Sequence, residues 1–229
     1  MHSPHHPYHS PLRYPGGKGS LSNFVRLLVD HNDLLDGHYV EVYGGGAAIA
    51  WSLLLGEYTR HVHVNDVDPA VYAFWASVLR NTDGLCRLIQ DARVGLNQWK
   101  RQRAIIARPD DHSELELGFA AFFLNRTNRS GIIRGGVIGG KTQEGAWKID
   151  ARFNKPDLIS RIQRIAGYRS RISIYNLDAI VLLRRLLASV PARTLLYLDP
   201  PYYSKGEGLV LAPLWSRRSY RNRWRCLRD

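Results

Sequence analysis

Cysteine is nearly missing from this chain. Cys86 and Cys226 are the only two among 229 residues, too few for a disulfide framework and without the spacing of a zinc site. A reducing, cytoplasmic setting is therefore expected, and no metal. Long apolar runs are also lacking: none approaches the roughly 18 residues a membrane-spanning helix needs. The opening MHSPHHPYHSP has no apolar signal-peptide core, so a soluble protein with no membrane partner is expected. Acidic residues are short as well, 20 Asp and Glu against 32 Lys and Arg, a formal charge of +12. That imbalance favours a polyanionic partner. With no amphipathic basic anchor in view, nucleic acid is favoured over a membrane surface. The length suits one sizeable α/β domain, or one domain with a large insertion.

Two familiar nucleotide loops are absent too. LRYPGGKGSL, from Leu12, invites a phosphate-loop reading, but Leu12 stands where the first glycine belongs and Gly19 where Ser or Thr belongs. A flexible turn presenting Lys18 remains. YVEVYGGGAAIAW, from Tyr39, reads as a strand, a glycine turn and a helix start. The dinucleotide fingerprint needs Gly or Ala three residues after Gly46, and Ile49 sits there. A pyrophosphate-binding loop is thus disfavoured, while an adenosine-bearing ligand without pyrophosphate is allowed. Three glycines let the backbone approach such a ligand, and Ala47 and Ala48 let the helix pack closely on the strand.

What is present is a set of strands that end in acid. The apolar run in TLLYLDPPYY, Thr194 to Tyr203, stops at Asp199 and two prolines, which cannot extend a central ladder. Asp199 offers an acceptor, Pro200 and Pro201 offer carbonyls, and Tyr202 offers a flat face, a combination able to hold a planar amino-bearing ring. A Pro-Pro turn that merely closes a strand explains the same residues. About 20 residues past the glycines, RHVHVNDVDP alternates and ends in Asp66 and Asp68. A carboxylate there can accept from both ribose hydroxyls, which makes Asp66 the ribose candidate and Asp68 the cap of the helix starting at Pro69. RISIYNLDAI is a third strand with Asp178 at its end, either capping the next helix or accepting from an adenine amino group.

Helical periodicity runs from Leu21 through Phe24, Val25, Leu28 and Val29, then from Pro69 to Val94, Asn97 to Ala107, and Ser113 to Leu124. Ser113 and Glu116 form a capping box. Trp75, Leu79, Leu88 and Phe119 are expected in the core. From Pro156 a basic helix turns Leu158, Ile159, Ile162 and Ile165 inward and Arg161, Arg164 and Arg169 outward. Between these helices, FFLNRTNRSGIIRGGVIGGKTQEGAWKIDARFNKP is rich in Gly and Arg and too long for a connector. It reads as an inserted recognition element or hairpin in which Asn125, Arg126, Asn128, Arg129, Arg134 and Lys141 reach base edges and phosphates. His2, His5, His6 and His9 among prolines read as a disordered leader over residues 1–11 rather than a metal site.

LRYPGGKGSL, EVYGGGAAIA, VNDVD, FFLNRTNRSG and LDPPYY, in that order, closely resemble the adenine-specific DNA methyltransferases of the Dam type, from about Leu12 to Leu209. The resemblance implies S-adenosylmethionine as cofactor, double-stranded DNA as partner and a monomer. It implies a Rossmann-like α/β sheet with helices on both faces and an inserted target-recognition region. Tyr14, Lys18, Glu41, Tyr43, Gly44, Gly45, Gly46, Asp66, Asp178 and Asp199 would bind the cofactor, and Asp199, Pro200, Pro201 and Tyr202 would hold the target base. Cofactor-binding and catalytic parts would occupy residues 12–112 and 156–209, with recognition in residues 113–155. Val42-Tyr43 replaces the usual Pro-Phe, and Asn128-Arg129-Ser130-Gly131 stands in a stretch that often reads Phe-Asn-Gly. The likeness dissolves after Leu209 into a basic tail, residues 210–229, whose interleaved Arg and Trp fit either a nucleic-acid tail or a truncation or shifted frame, the reading favoured here, in which the distal strands of the sheet are missing. A non-catalytic DNA- or cofactor-binding remnant, or a methyltransferase acting on RNA or on a protein amide, are the alternatives.

Overall fold

The runs YVE, RHVHVN, ISIY and TLLY each form a strand: β1 (Gly37–Glu41), β2 (Thr59–Asn65), β3 (Ile172–Tyr175) and β4 (Thr194–Tyr197). They belong to a computed structural model that describes residues 9–13 and 18–200. Contacts divide the chain into Met1–Leu198 and Asp199–Asp229, and of the second unit only Asp199 and Pro200 are among the described residues. All four strands are parallel, in the order β3-β2-β1-β4. Their carboxyl ends lie level, because Glu41 opposes both Val64 and Tyr197 while Asn65 opposes Tyr175. The chain leaves β3 at one edge and returns at the far side of β1 as β4. That reversal of direction beside β1 is where open parallel sheets bind ligands, at the carboxyl ends.

Eight helices among the described residues cover the sheet: α1 (Ser22–His31), α2 (Ala48–Leu55), α3 (Pro69–Arg80), α4 (Thr82–Asp91), α5 (Leu96–Ala107), α6 (Glu114–Thr127), α7 (Lys155–Ala166) and α8 (Ala179–Leu187). Alternation along β1 splits its side chains between two layers. Tyr39, with Val62 and Val64 of β2, joins the large core built with α2, α3 and α6. Val40 and Val42 face the other way, against Ala179, Leu182 and Leu186 of α8. In α6 the run from Phe119 to Leu124 is buried, and Phe122 stacks on Phe74 with ring centroids 5.6 Å apart. Burying such a ring contributes roughly 2 kcal/mol, which is why a helix apolar on every side sits at the centre of the helical layer.

Several sequence expectations hold. Asp68 caps α3 through the Ala70 N–H, with Pro69 in the first turn, and Ser113 and Glu116 make the reciprocal capping box on α6. Trp75 and Phe119 are buried, and Leu79 and Leu88 pack against the same core. On α7, Leu158, Ile162 and Ile165 are buried and Arg164 is exposed.

Others need correction. The helix expected from Pro69 to Val94 is two, because Asn81 leaves helical geometry (φ −139°, ψ 51°) and its side chain accepts from Gly84 N–H to start α4. On α1, Val25 and Val29 turn inward, but Phe24 is 57% exposed, and Leu21, just before the helix, is exposed too. Of the leader expected over residues 1–11, Ser10 and Pro11 are buried, as is Leu12, and residues 1–8 lie outside the described residues. Arg161, expected outward, is half-buried and donates to the Ser10 carbonyl at 3.2 Å. The segment between α6 and α7 carries a 3-10 turn at Arg129–Gly131 and an antiparallel bridge between Asn128 and Val137, with no strand pair in it among the described residues. Among the described residues no helix is long and apolar enough to cross a membrane, and no group of three or more His, Cys, Asp or Glu could hold a metal ion.

Candidate functional site

The glycine turn after β1 is held from below on nearly every peptide. Gly44 N–H donates to the Asn65 carbonyl at 2.7 Å, Gly45 N–H to Asp66 Oδ2 at 2.8 Å, and Ala47 N–H back to the Gly44 carbonyl at 2.6 Å. The glycines have different reasons to be there. A Cβ on Gly44 would lie 2.5 Å from Val64 Cγ1 and 3.0 Å from the Asn65 carbonyl, so that position is small because β2 needs the room. Gly45 is small because its φ is +48°. Ala47 adopts φ +47° with a side chain, a conformation costing roughly 1 kcal/mol. The chain accepts that cost to enter α2.

Asp66 follows β2 directly and is half-buried beside this turn. Its Oδ2 takes Gly45 N–H, and its Oδ1 takes Asp68 N–H at 2.9 Å. Burial pushes its carboxyl up to about 7, helped by the neighbouring Asp68 carboxylate, against the pull of the two N–H donors. Each oxygen spends one of its two acceptor positions on the protein and keeps one. That is the capacity a ribose diol requires. Glu41, at the end of β1, is buried and accepts from Ala50 N–H at 3.3 Å in the first turn of α2. Its carboxylate thus meets the positive end of a helix dipole. Tyr43 is half-buried against the α8 layer. Asp178 caps α8, accepting from Ile180 N–H at 2.9 Å.

A residue not anticipated ties these ends together. Asn65, buried at the tip of β2, donates to the carbonyls of Val42 and Leu177 at 2.9 and 3.0 Å and accepts from Leu177 N–H at 3.0 Å. It fixes the exits of β1 and β3 to the tip of β2, one residue before Asp66. The signal was present in VNDVD, because an amide offers both donor and acceptor where two strand exits must be joined.

The recognition candidates separate into two groups. Asn125 and Asn128 are buried, and their amides are spent inside. Asn125 accepts from Arg13 N–H at 2.7 Å and donates to the carbonyls of Arg13 and Gly131. Asn128 accepts from Trp99 Nε1–H at 2.7 Å and donates to the Ile132 and Ile133 carbonyls. In the DNA-free chain these amides organise the loop, because two donors and an acceptor at the end of α6 satisfy backbone groups that would otherwise be buried alone. Arg126 is half-buried, donating to the carbonyls of Arg152 and Pro11 at 2.8 and 3.5 Å. Burial lowers its guanidinium to about 10, and the nearby Arg13, Arg161 and Arg152 push the same way. Arg129, Arg134 and Lys141 are exposed. Arg134 pairs with Asp68 at 2.8 Å, linking the loop to the acidic strand end.

Asp199 is half-buried and Pro200 exposed, in the second unit. In the chain Asp199 comes two residues after β4. Tyr14, Pro201 and Tyr202 lie outside the described residues, as does the side chain of Lys18, whose backbone begins a 3-10 turn over Lys18–Leu21.

A parallel sheet in this order, a glycine turn after its first strand and a carboxylate after its second define a Rossmann-like α/β protein. The model of the D12 class N6 adenine-specific DNA methyltransferase family matches residues 14–208, and the chain belongs to that family. No curated protein matches the chain.

Proposed function

We propose that the chain transfers a methyl group from S-adenosylmethionine directly to the exocyclic amino group of adenine in DNA. Family membership supports the reaction class, and one observation supports the cofactor: Asp66 joins the glycine turn to β2 while keeping an acceptor position on each oxygen. The residues fit an adenosine-bearing ligand. Asp66 would take the ribose hydroxyls, with Asp178 at the adenine, while Glu41, Tyr43 and the Gly44–Gly46 turn, with Tyr14 and Lys18, would enclose the rest. When bound, the sulfonium supplies an activated methyl carbon.

The protein's task is to make the amino nitrogen a nucleophile. Its lone pair is delocalised into the ring. The Asp199 carboxylate and the Pro200 carbonyl would each accept one amino hydrogen, localising the lone pair and aiming it at the methyl carbon. As the N–C bond forms the S–C bond would break, leaving S-adenosylhomocysteine, and the surplus amino proton would pass by way of the Asp199 carboxylate to solvent. No covalent enzyme intermediate is needed, and positioning with electrostatics supplies most of the barrier lowering. Because the amino group is occluded in a duplex, the base would be flipped and stacked on Tyr202 beside Pro201. Residues 12–112 and 156–209 would form the catalytic part and residues 113–155 the recognition part. Within it Arg129, Arg134 and Lys141 would meet phosphates or base edges, making binding strongly salt-dependent. Incubation with methyl-labelled cofactor and DNA, RNA or protein tests the reading. Label in N6-methyladenine of DNA supports it, label in RNA or protein reassigns the substrate, and cofactor binding without transfer points to a binding remnant.

A further inference from the structure

The cofactor turn rests on two indoles. Trp51, on α2, donates Nε1–H to the Gly46 carbonyl at 3.1 Å, and Trp75, on α3, donates to the Gly45 carbonyl at 2.9 Å. Their rings are 4.7 Å apart and tilted by 51°, and both are buried, at 0% and 2% exposure. Ser10 Oγ adds a second donor to the Gly46 carbonyl at 2.5 Å. Two consecutive carbonyls are thus drawn into the interior by three side-chain donors.

Planar trans peptides turn this into a statement about the opposite face. With no cis bond among the described residues, the N–H of residue i+1 points away from the carbonyl of residue i. The Gly45 carbonyl lies on Trp75, so Gly46 N–H points away from the indole. It makes no hydrogen bond to any described residue. The left-handed φ values of Gly45 and Ala47, +48° and +47°, bracket the same peptides. Flipping either peptide would strand a buried indole N–H and a carbonyl together, so the turn is held in one state.

We infer that Trp51 and Trp75 are positioning residues for the cofactor: through the Gly45 and Gly46 carbonyls they lock the turn so that Gly46 N–H is presented to an acceptor on the nucleoside or its amino-acid tail. The inference rests on the proposed cofactor site. It assigns to two core tryptophans a role that packing alone would not give them, since Phe would fill much of the same space and supply no donor.

The test replaces the donors and keeps the aromatic bulk. Trp75→Phe and Trp51→Phe are compared with Phe74→Leu, which disturbs the same core, where Phe74 meets Trp75 at 4.8 Å, without touching the turn. S-adenosylhomocysteine affinity by calorimetry should fall about five- to tenfold in each Trp variant, the loss of one well-made hydrogen bond. KM for S-adenosylmethionine should rise with kcat little changed, while Phe74→Leu lowers the melting point and leaves KM alone. Hydrogen exchange at Gly45 N–H, now protected by Asp66, should quicken in Trp75→Phe, a readout that stands without any ligand. Wild-type affinity and unchanged Gly45 exchange in the Trp variants would overturn the inference, as would an equal KM rise in Phe74→Leu. Absence of S-adenosylhomocysteine binding by the wild-type chain would instead remove the cofactor reading beneath it.

Discussion

Lowering the pH should loosen the cofactor's grip through one carboxyl. Burial pushes the Asp66 carboxyl up to about 7, and only the ionised form accepts from both ribose hydroxyls. The apparent dissociation constant then scales inversely with the ionised fraction. That fraction is about one in eleven at pH 6 and about ten in eleven at pH 8, so affinity for S-adenosylhomocysteine should rise about tenfold across those two units. Binding near pH 7 should also release about half a proton, visible in calorimetry as a dependence of the observed heat on the buffer's ionisation enthalpy. Asp66→Asn, neutral at every pH, should bind weakly and flatten the profile, which also subtracts any titration of the ligand itself. A wild-type profile as flat as the variant's, or proton uptake on binding, would refute the assignment of the ribose to Asp66.

Other consequences follow from the same geometry. His63 is packed against His38 and Tyr175, with its Nδ1 2.9 Å from the Tyr175 hydroxyl, and burial, followed by its neighbours His61 and His38, lowers it to about 4. A lowered imidazole stabilises the fold fully above the unfolded value of 6.5 and loses that contribution as pH falls towards 4. His63→Phe should therefore gain about 2 kcal/mol on the wild type between pH 7.5 and pH 5 in urea unfolding, and a pH-independent difference would contradict the buried neutral ring. Ala47→Gly should relieve the left-handed φ and raise stability by up to about 1 kcal/mol, whereas a loss above that would mean the methyl group's packing outweighs its strain. Asn128→Ala should cost about 2–4 kcal/mol, because it leaves Trp99 Nε1–H and two loop carbonyls unpaired. Unchanged stability with weakened DNA binding would return Asn128 to the DNA.

The sheet and its acidic exits were legible in the sequence because each rests on short-range pattern. A strand that ends in Asp-Pro-Pro, an alternating run that ends in Asn-Asp, and three glycines after an apolar run are local signals with local causes. The capping box at Ser113 and the cap at Asp68 are likewise set within four residues. What escaped is what depends on the partner across the fold. Asn125 and Asn128 look like solvent-facing recognition residues until α6 is seen to bury its end against residues 10–13 and Trp99. Trp51 and Trp75 read as core because an indole's bulk shows in a sequence and the aim of its single N–H does not. The break at Asn81 hid because apolar spacing continues in phase into α4, although Asn-Thr-Asp-Gly carries the cap signal that divides the two helices.

In the proposed mechanism the ribose grip and the base chemistry fall to different acidic residues, Asp66 after β2 and Asp199 after β4. Its most direct test measures S-adenosylhomocysteine affinity and N6-methyladenine formation together in Asp199→Ala. Affinity kept within a few-fold while methyl transfer is abolished is the predicted result, and retained methyl transfer would contradict it.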